Sequence, residues 1–448
     1  MSKEIAWSKQ VPVRYAADVV VIGGGIAGVI AACAAASQRA RVILVEHFGA
    51  LGGQGTIGGV QGFCGETTGQ GHFFDEIQSD LDKFGAIAPY RLPRKGTFQG
   101  RQYDCDVLEI VLQELVLRHG VTLLLHARCV DVIKRGTEIT HVLIHGKSGL
   151  EGIETRFVID CTGEAEACVM AGCPTVKGRV PDEMQLPMSL IFFVTSAGPF
   201  SRLKPIPKDF FPWQPFRTRS EVIMNSTTRK PMGGAGVKIK IPGFDSTSTK
   251  SLSSAEIAGR REAFRVLEYY RGALKRRWNF SHFSPQIGIR EGRRIVGEHT
   301  LTLEDVRLGR EFDDAIAVGT YVLDAHKPDD PYRTYILPRD QLHVPPYQIP
   351  LRCLIPKGIT NLLVAGRNMS ADQLALGSAR VMTTCGMMGH AAGSCAVQSM
   401  AEHRSPIEIA TNTAAIKALQ ARLTSDGMRI DLGYYLGLAK KTDSPERS

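Results

Sequence analysis

The stretch ADVVVIGGGIAGVIAACAAAS, residues 17–37, constrains this chain more than any other. Its apolar run approaches the length of a membrane span. However, three adjacent glycines, Gly23, Gly24 and Gly25, carry a backbone entropy cost that suits a spanning helix poorly, and Asp18 stands where a secretory signal would place basic residues. The valine-rich run from Ala17 to Ile22 reads instead as a buried parallel strand, and Ile26 to Ser37 as a helix of small residues. That reading requires a second strand, which RARVILVE supplies. Gly23-x-Gly25-x-x-Gly28 then lies between strand and helix, as a dinucleotide fingerprint does. Gly23 makes the tight turn, Gly25 lets backbone approach a pyrophosphate, and Gly28 lets the helix pack on the sheet. Glu46 ends the second strand, where a carboxylate can accept ribose hydroxyls, and an acid there disfavours a 2′-phosphate. The competing account is a glycine-rich packing unit without a ligand.

At 448 residues the chain has room for two or three domains, and 43% hydrophobic with 22% charged residues is ordinary for a globular protein. The net charge of +9 is scattered, and the basic clusters KRR (275–277) and REGRR (290–294) are short, which argues against a nucleic-acid partner. Ten cysteines without a CxxC pair or zinc-like spacing point to reduced thiols, a cytoplasmic setting and no metal, and they argue against a disulfide reductase.

The glycine-rich FGALGGQGTIGGVQGFCG brings backbone close to something flat or charged. HFFDEIQSDLDKFG reads as a helix stopped by Gly85, and DCDVLEIVLQELVLRHG as one capped by Asp104 and stopped by Gly120. VTLLLHARCVDVIKRG, ITHVLIHG and TRFVIDCTG read as strands. From about 175 to 340 prolines and aromatics increase. MSLIFFVTS is a strand there, a long amphipathic helix starts with Ser254 as its cap, and residues 200–250 read as mobile loops. Near 340 the first texture returns, with GITNLLVAGRNMS as a strand and GSARVMTTCGMMGHAAGSCAVQSM as one helix. The tail KKTDSPERS reads as frayed. The expected fold class is therefore α/β. A Rossmann-like nucleotide-binding domain is assembled from both chain ends (1–174 and 341–448), with an inserted mixed-sheet substrate domain at 175–340. A second fingerprint for a separate NADPH domain is missing.

These segments together resemble the FAD-dependent oxidoreductases of the glutathione-reductase-like superfamily, and in particular a bacterial group with an N-terminal GGGIAG. The residues that carry the resemblance are VIGGGIAGVIAA, LGGQGTIGGV, IREGRRIVGEHTLT, NLLVAGRNMS and ALGSARVMTTCGMMGHAAG, running from residue 19 to about 397. The resemblance implies FAD as cofactor, with Gly23, Gly25 and Gly28 at the pyrophosphate, Glu46 at the adenosine ribose and Val130 at adenine. It also implies Gly53, Gln54 and Thr56 in a loop toward the flavin, Gly163 in the DCTG turn, and Gly366, Arg367, Arg380, Val381 and Met382 as a second flavin segment. Aromatic hydroxylases of this superfamily carry an aspartate where Arg367 stands, which speaks against a monooxygenase.

Oxidation by a flavin needs a proton acceptor and a fixture for the substrate. His326, in VLDAHKPDD, is the first choice for the base, with a capping role as the competing account; His390 and His72 follow. Arg290, Arg293 and Arg352 could clamp a carboxylate or phosphate, with Arg290 and Arg294 sharing a helical face, or could instead form interdomain salt bridges. Cys64 reads as a small buried hydrophobe rather than a flavin-attachment or redox thiol, and Cys161, Cys168 and Cys173 lack ligand spacing. The expectation is an FAD-dependent dehydrogenase or oxidase. It takes a hydride from a small organic substrate, an anion among the possibilities, and passes electrons to oxygen, a quinone or a carrier. The alternatives are an NAD(P)H-dependent monooxygenase, a non-catalytic flavin or NAD sensor, and an RNA-modifying flavoprotein. The sequence leaves the oligomeric state and the acceptor open.

Overall fold

A computed structural model describes residues 4–94, 96–200, 202–204, 206, 214–223, 225–231 and 234–440. Strand β1 (Val13–Ile22) enters a core where Val19, Val20 and Val21 are fully buried. It turns through three glycines into helix α1 (Ile26–Ala36) and pairs in parallel with β2 (Val42–Val45). Helix α2 (His72–Lys83) ends just before Gly85, which has φ +62°. Helix α3 (Cys105–Arg118) is capped by Asp104, whose carboxylate accepts the Asp106 N–H. Then β3 (Thr122–Leu124) joins the far side of β2 in parallel, and β4 (Arg128–Arg135), β5 (Glu138–Gly146) and β6 (Gly149–Asp160) form an antiparallel meander. The sheet order is β3-β2-β1-β6-β5-β4.

A separate antiparallel sheet follows, in the order β8-β9-β7-β10, from β7 (Met188–Ser196), β8 (Asn225–Arg229), β9 (Ala235–Ile241) and β10 (Trp278–Phe283). Helix α4 (Thr249–Gly272) packs its Ala263, Val266 and Leu267 against this sheet. Two strands thus replace part of the loop expected over 200–250; residues 201, 205, 207–213, 224, 232 and 233 of that stretch lie outside the described residues. Helix α4 is capped six residues earlier than expected, by Ser248, whose hydroxyl accepts the Ser251 N–H. Ser254 lies inside the helix and donates to the Lys250 carbonyl.

The chain then returns to the first sheet. Strand β11 (Leu362–Val364) pairs in parallel with Val158–Asp160, the last residues of β6, on the edge that β5 covers farther back. Both chain ends therefore build one sheet. The late small-residue segment is two helices rather than one, α5 (Gln373–Ala379) and α6 (Met382–Glu402), broken at Arg380–Val381. Helix α6 lies directly on α1: a Cβ at Gly389 would overlap the Ala27 carbonyl, and one at Gly393 the Ala31 carbonyl. Among the described residues no helix is long and apolar enough to cross a membrane, and all ten cysteines are free. The expected frayed tail, beyond Lys440, lies outside the described residues.

Candidate functional site

A cleft of ≈ 630 Å³ runs along the carboxyl ends of β1, β2 and β6, where open α/β sheets bind ligands. Gly23 turns with φ +98° and donates its N–H to the Val45 carbonyl (2.8 Å). Gly25 precedes α1 as its N-cap and supplies no side-chain cap, and the first turn holds no acid, so the helix presents free N–H groups and its positive dipole end to the cleft. A Cβ on Gly25 would meet no heavy atom within 4 Å, whereas one on Gly28 would overlap the Gly23 carbonyl. Open space at one glycine and contact at the other are what a pyrophosphate cradle requires.

Glu46 is 4% exposed and stands on the cleft wall. Its Oε2 accepts the Gly24 N–H (2.7 Å) and its Oε1 the Phe48 N–H (2.8 Å), while His47 Nδ1 lies 2.9 Å from Oε1. Burial would raise its pKa, but His47 and the two N–H bonds together bring it below the ordinary carboxylate value. The acid is thus ionised and fixed in direction before any ribose arrives.

The second glycine loop lies against the first. The Gly52 N–H donates to the Gly24 carbonyl (2.8 Å), and Gly53 and Gln54 line the cleft. Thr56 does not: its hydroxyl turns inward to the Leu51 carbonyl (2.6 Å). At the position expected to offer its backbone to adenine, β4 bulges between Cys129 and Asp131, leaving Val130 outside the pairing and the residue 38% exposed. Ala127, Arg128 and Cys129 face the cleft in its place.

On the opposite wall Gly163 has φ +73°, and a Cβ there would lie 2.7 Å from Arg367 Nη2. Arg367 donates to Glu164 Oε1 (3.0 Å), and Ser246 donates to Glu164 Oε2 (3.2 Å). Gly366, Arg380, Met382 and Cys385 continue this wall, and the break before α6 puts another helix N-terminus without a side-chain cap there, with Val381 as N-cap. Glu164, in the turn after the DCTG strand, and the Ser246–Glu256 stretch, most of it in or beside the segment read as loop, also line the cleft and carry no expectation from sequence. The Ser/Thr run of GFDSTSTKSLSS was the available signal.

The catalytic candidates separate. Arg293 lines the cleft. Arg290 is buried and donates to the Pro187 carbonyl (2.7 Å), and burial lowers its pKa to about 10. Arg290 and Arg294 share no helical face, because Arg293–Ile295 is a strand and Arg294 pairs with Glu291. Arg352 forms a two-pronged bridge to Asp314 at 3.0 Å, which is the salt-bridge account. His390 is fully buried, with Nε2 3.3 Å from Asp426 Oδ2; His72 Nδ1 lies 3.1 Å from the Asp426 carbonyl, and neither histidine lines the cleft. Ligand atoms of His72, His390 and Asp426 all fall within 4.8 Å of one another, a grouping the cysteine-based reading did not anticipate.

His326 sits behind the cleft wall, 7% exposed, with Nε2 2.8 Å from Asp324 Oδ1. Asp324 Oδ2 accepts from Arg380 (3.1 Å), which is itself on the wall. Burial, then Arg290, lower the His326 pKa to about 4, and its Nδ1 is buried without a partner. Asp324 is held well below the carboxylate range by His326, Arg380 and Arg290, against a burial that would raise it. The sequence reading chose His326 and missed Asp324 two residues earlier.

The model of a family described as FAD dependent oxidoreductase matches residues 18–423 of this chain. No curated protein matches it. Among solved structures, the chain is similar to a geranylgeranyl bacteriochlorophyll reductase-like protein from Thermoplasma acidophilum, with 15% identity over 96% of this chain and 88% of that one and a TM-score of 0.49. It is also similar to an anhydrotetracycline hydroxylase from Streptomyces rimosus, at 12% identity over 95% and 72% of the two chains with a TM-score of 0.47.

Proposed function

Because the chain belongs to the family of FAD dependent oxidoreductases, we propose that it is a dehydrogenase or oxidase that takes a hydride equivalent from a small organic substrate and passes the electrons to oxygen, a quinone or a carrier. FAD is the cofactor, and the cleft fits it: free helix N–H groups meet an open glycine, with an oriented carboxylate at one end and Gly53, Gln54, Arg380 and Met382 at the other. On this reading residues 1–174 and 341–448 hold FAD and 175–340 carry the substrate. Gly23, Gly25 and Gly28 form the pyrophosphate turn, Glu46 takes the adenosine ribose, and Ala127 to Cys129 stand at adenine. When bound, FAD supplies the two-electron acceptor.

The protein's own contribution is proton handling and placement. The observation that carries this reading is the His326–Asp324–Arg380 chain, which joins a neutral imidazole to the cleft wall. With Nε2–H donated to Asp324, the unpartnered Nδ1 is the lone pair that takes the substrate's O–H or N–H proton, relayed through an intervening water because Nδ1 itself lies behind the wall, and Asp324 stabilises the imidazolium that results. Arg380 fixes Asp324 and so orients the base. The test is anaerobic mixing of the yellow protein with metabolite pools, followed by the active substrate with His326→Ala. The variant keeps its cofactor but bleaches about 100-fold more slowly or worse. Unchanged bleaching removes His326 from the reaction, and a protein reduced rapidly by NAD(P)H only when substrate is present is a monooxygenase instead.

A further inference from the structure

Strand β9 sends Val237, Ile239 and Ile241 into the apolar core with α4. By the two-residue alternation of a strand, its other face carries Gly236, Lys238 and Lys240. At one end that face meets the nucleotide-binding unit, where a Cβ at Gly236 would overlap the Gln61 side chain; at the other, Lys240 Nζ donates to the carbonyls of Asp330 (2.6 Å) and Arg333 (2.9 Å) in a later segment of its own domain. Lys238 stands between them, flanked by Ile191 on β7 and Ser226 on β8. Among the described residues its ammonium makes no hydrogen bond and no ion pair.

An unpaired interior ammonium is costly, and here the surroundings add to the cost. Burial, then Arg290, lower the Lys238 pKa, with Asp324, Cys64 and Arg380 also within electrostatic reach. Asp324 is engaged by His326 and Arg380 and forms no ion pair with Lys238. Lys238, Cys64, Tyr321, Asp324, Arg380 and Met382 nevertheless all keep some accessible surface, and Arg380 and Met382 belong to the cleft wall. Arg290, by contrast, is committed to the Pro187 carbonyl.

We propose that Lys238 is the receptor for a carboxylate on the organic substrate, so that the substrate is a small organic acid held between β9 and the far end of the cleft. This rests on the reading of that cleft as the flavin site. The substrate's carboxylate supplies the missing counter-charge, and the cationic balance of Lys238, Arg290 and Arg380 against Asp324 disfavours cationic substrates.

The test uses the purified protein, calorimetric titration with acetate, benzoate and neutral benzamide, and visible absorbance to read flavin content separately. Wild type and Lys238→Arg bind the carboxylates in preference to benzamide. Lys238→Met weakens benzoate by about 10- to 100-fold, the loss expected for a charge-assisted bond. Its flavin content is unchanged and its thermal midpoint is not lowered, because an unpaired interior charge has been removed. Yellow Lys238→Met protein that binds benzoate as wild type does, or wild type indifferent to both carboxylates, overturns the assignment. A Lys238→Met chain that fails to fold makes the lysine structural and overturns it as well. Colourless wild-type protein sinks the flavin reading alone, since calorimetry still reads Lys238.

Discussion

Replacing Gly25 by aspartate separates the cofactor cradle from the fold that carries it. The position has φ −65° and ψ 176°, which any residue adopts, and an added Cβ meets no heavy atom within 4 Å. Helix α1 lacks a side-chain cap, and aspartate is a favoured N-cap, worth about a few tenths of a kcal/mol over glycine. The substitution therefore leaves the cofactor-free protein at least as stable as before. Its carboxylate instead projects into the cleft that takes the pyrophosphate. At an effective dielectric of about 20 and a separation of about 4 Å, repulsion between that carboxylate and one phosphate charge costs about 4 kcal/mol. This is roughly a thousandfold in affinity, at about 1.4 kcal/mol per decade. The assay is the FAD-to-protein ratio after purification, fluorescence titration of stripped protein with FAD, and thermal unfolding of the stripped forms. The expected variant is colourless and folded. Yellow, fully loaded Gly25→Asp protein refutes the placement of the pyrophosphate, and an unfolded variant refutes the open space read at this glycine. Gly28→Ala is the contrasting control, because its methyl overlaps the Gly23 carbonyl and damages the turn itself.

Two further outcomes can be checked. At the α1–α6 seam, Gly389→Val drives a branched side chain into the Ala27 carbonyl and lowers stability by about 3 kcal/mol or more, read by chemical denaturation; a change under about 0.5 kcal/mol would mean that the helices do not touch there. His326 has its pKa lowered from 6.5 to about 4, so between those values the unfolded chain binds more protons than the folded one. Its contribution to stability is full above pH 6.5 and drains as pH falls toward 4, by about 3 kcal/mol at most, and His326→Gln flattens that slope; identical acid profiles for the two proteins would contradict the burial of a neutral imidazole.

Local chemistry made the nucleotide cradle legible in sequence. Gly23, Gly25, Gly28 and Glu46 belong to one strand–turn–helix–strand run, where spacing alone fixes their relation. The same logic failed wherever packing between distant segments decides. The bulge at Val130 shifts the cleft-facing residues by one or more, and nothing in ARCVDVI marks a bulge. The break at Arg380–Val381 interrupts a run of small residues with no proline or glycine pair to announce it. In GAGVKIKI the alternation was visible, but Lys238 looks like a solvent-facing residue until the sheet is set against the first unit. Asp324 was within two residues of the chosen histidine, yet its role depends on Arg380, 56 residues later.

The glycine seam between α1 and α6 also bears on biosynthesis. A ribosome that has delivered the first 170 residues has released a nascent chain whose small-residue helix still lacks its lid and whose main sheet lacks its last strand. Only after residue 362 has emerged can that strand dock, and only after about residue 393 can the seam close. Cofactor loading then waits for the last quarter of the chain, and truncations that remove the strand at 362–364 or the helix through Gly393 forfeit the dinucleotide however intact their amino-terminal fingerprint.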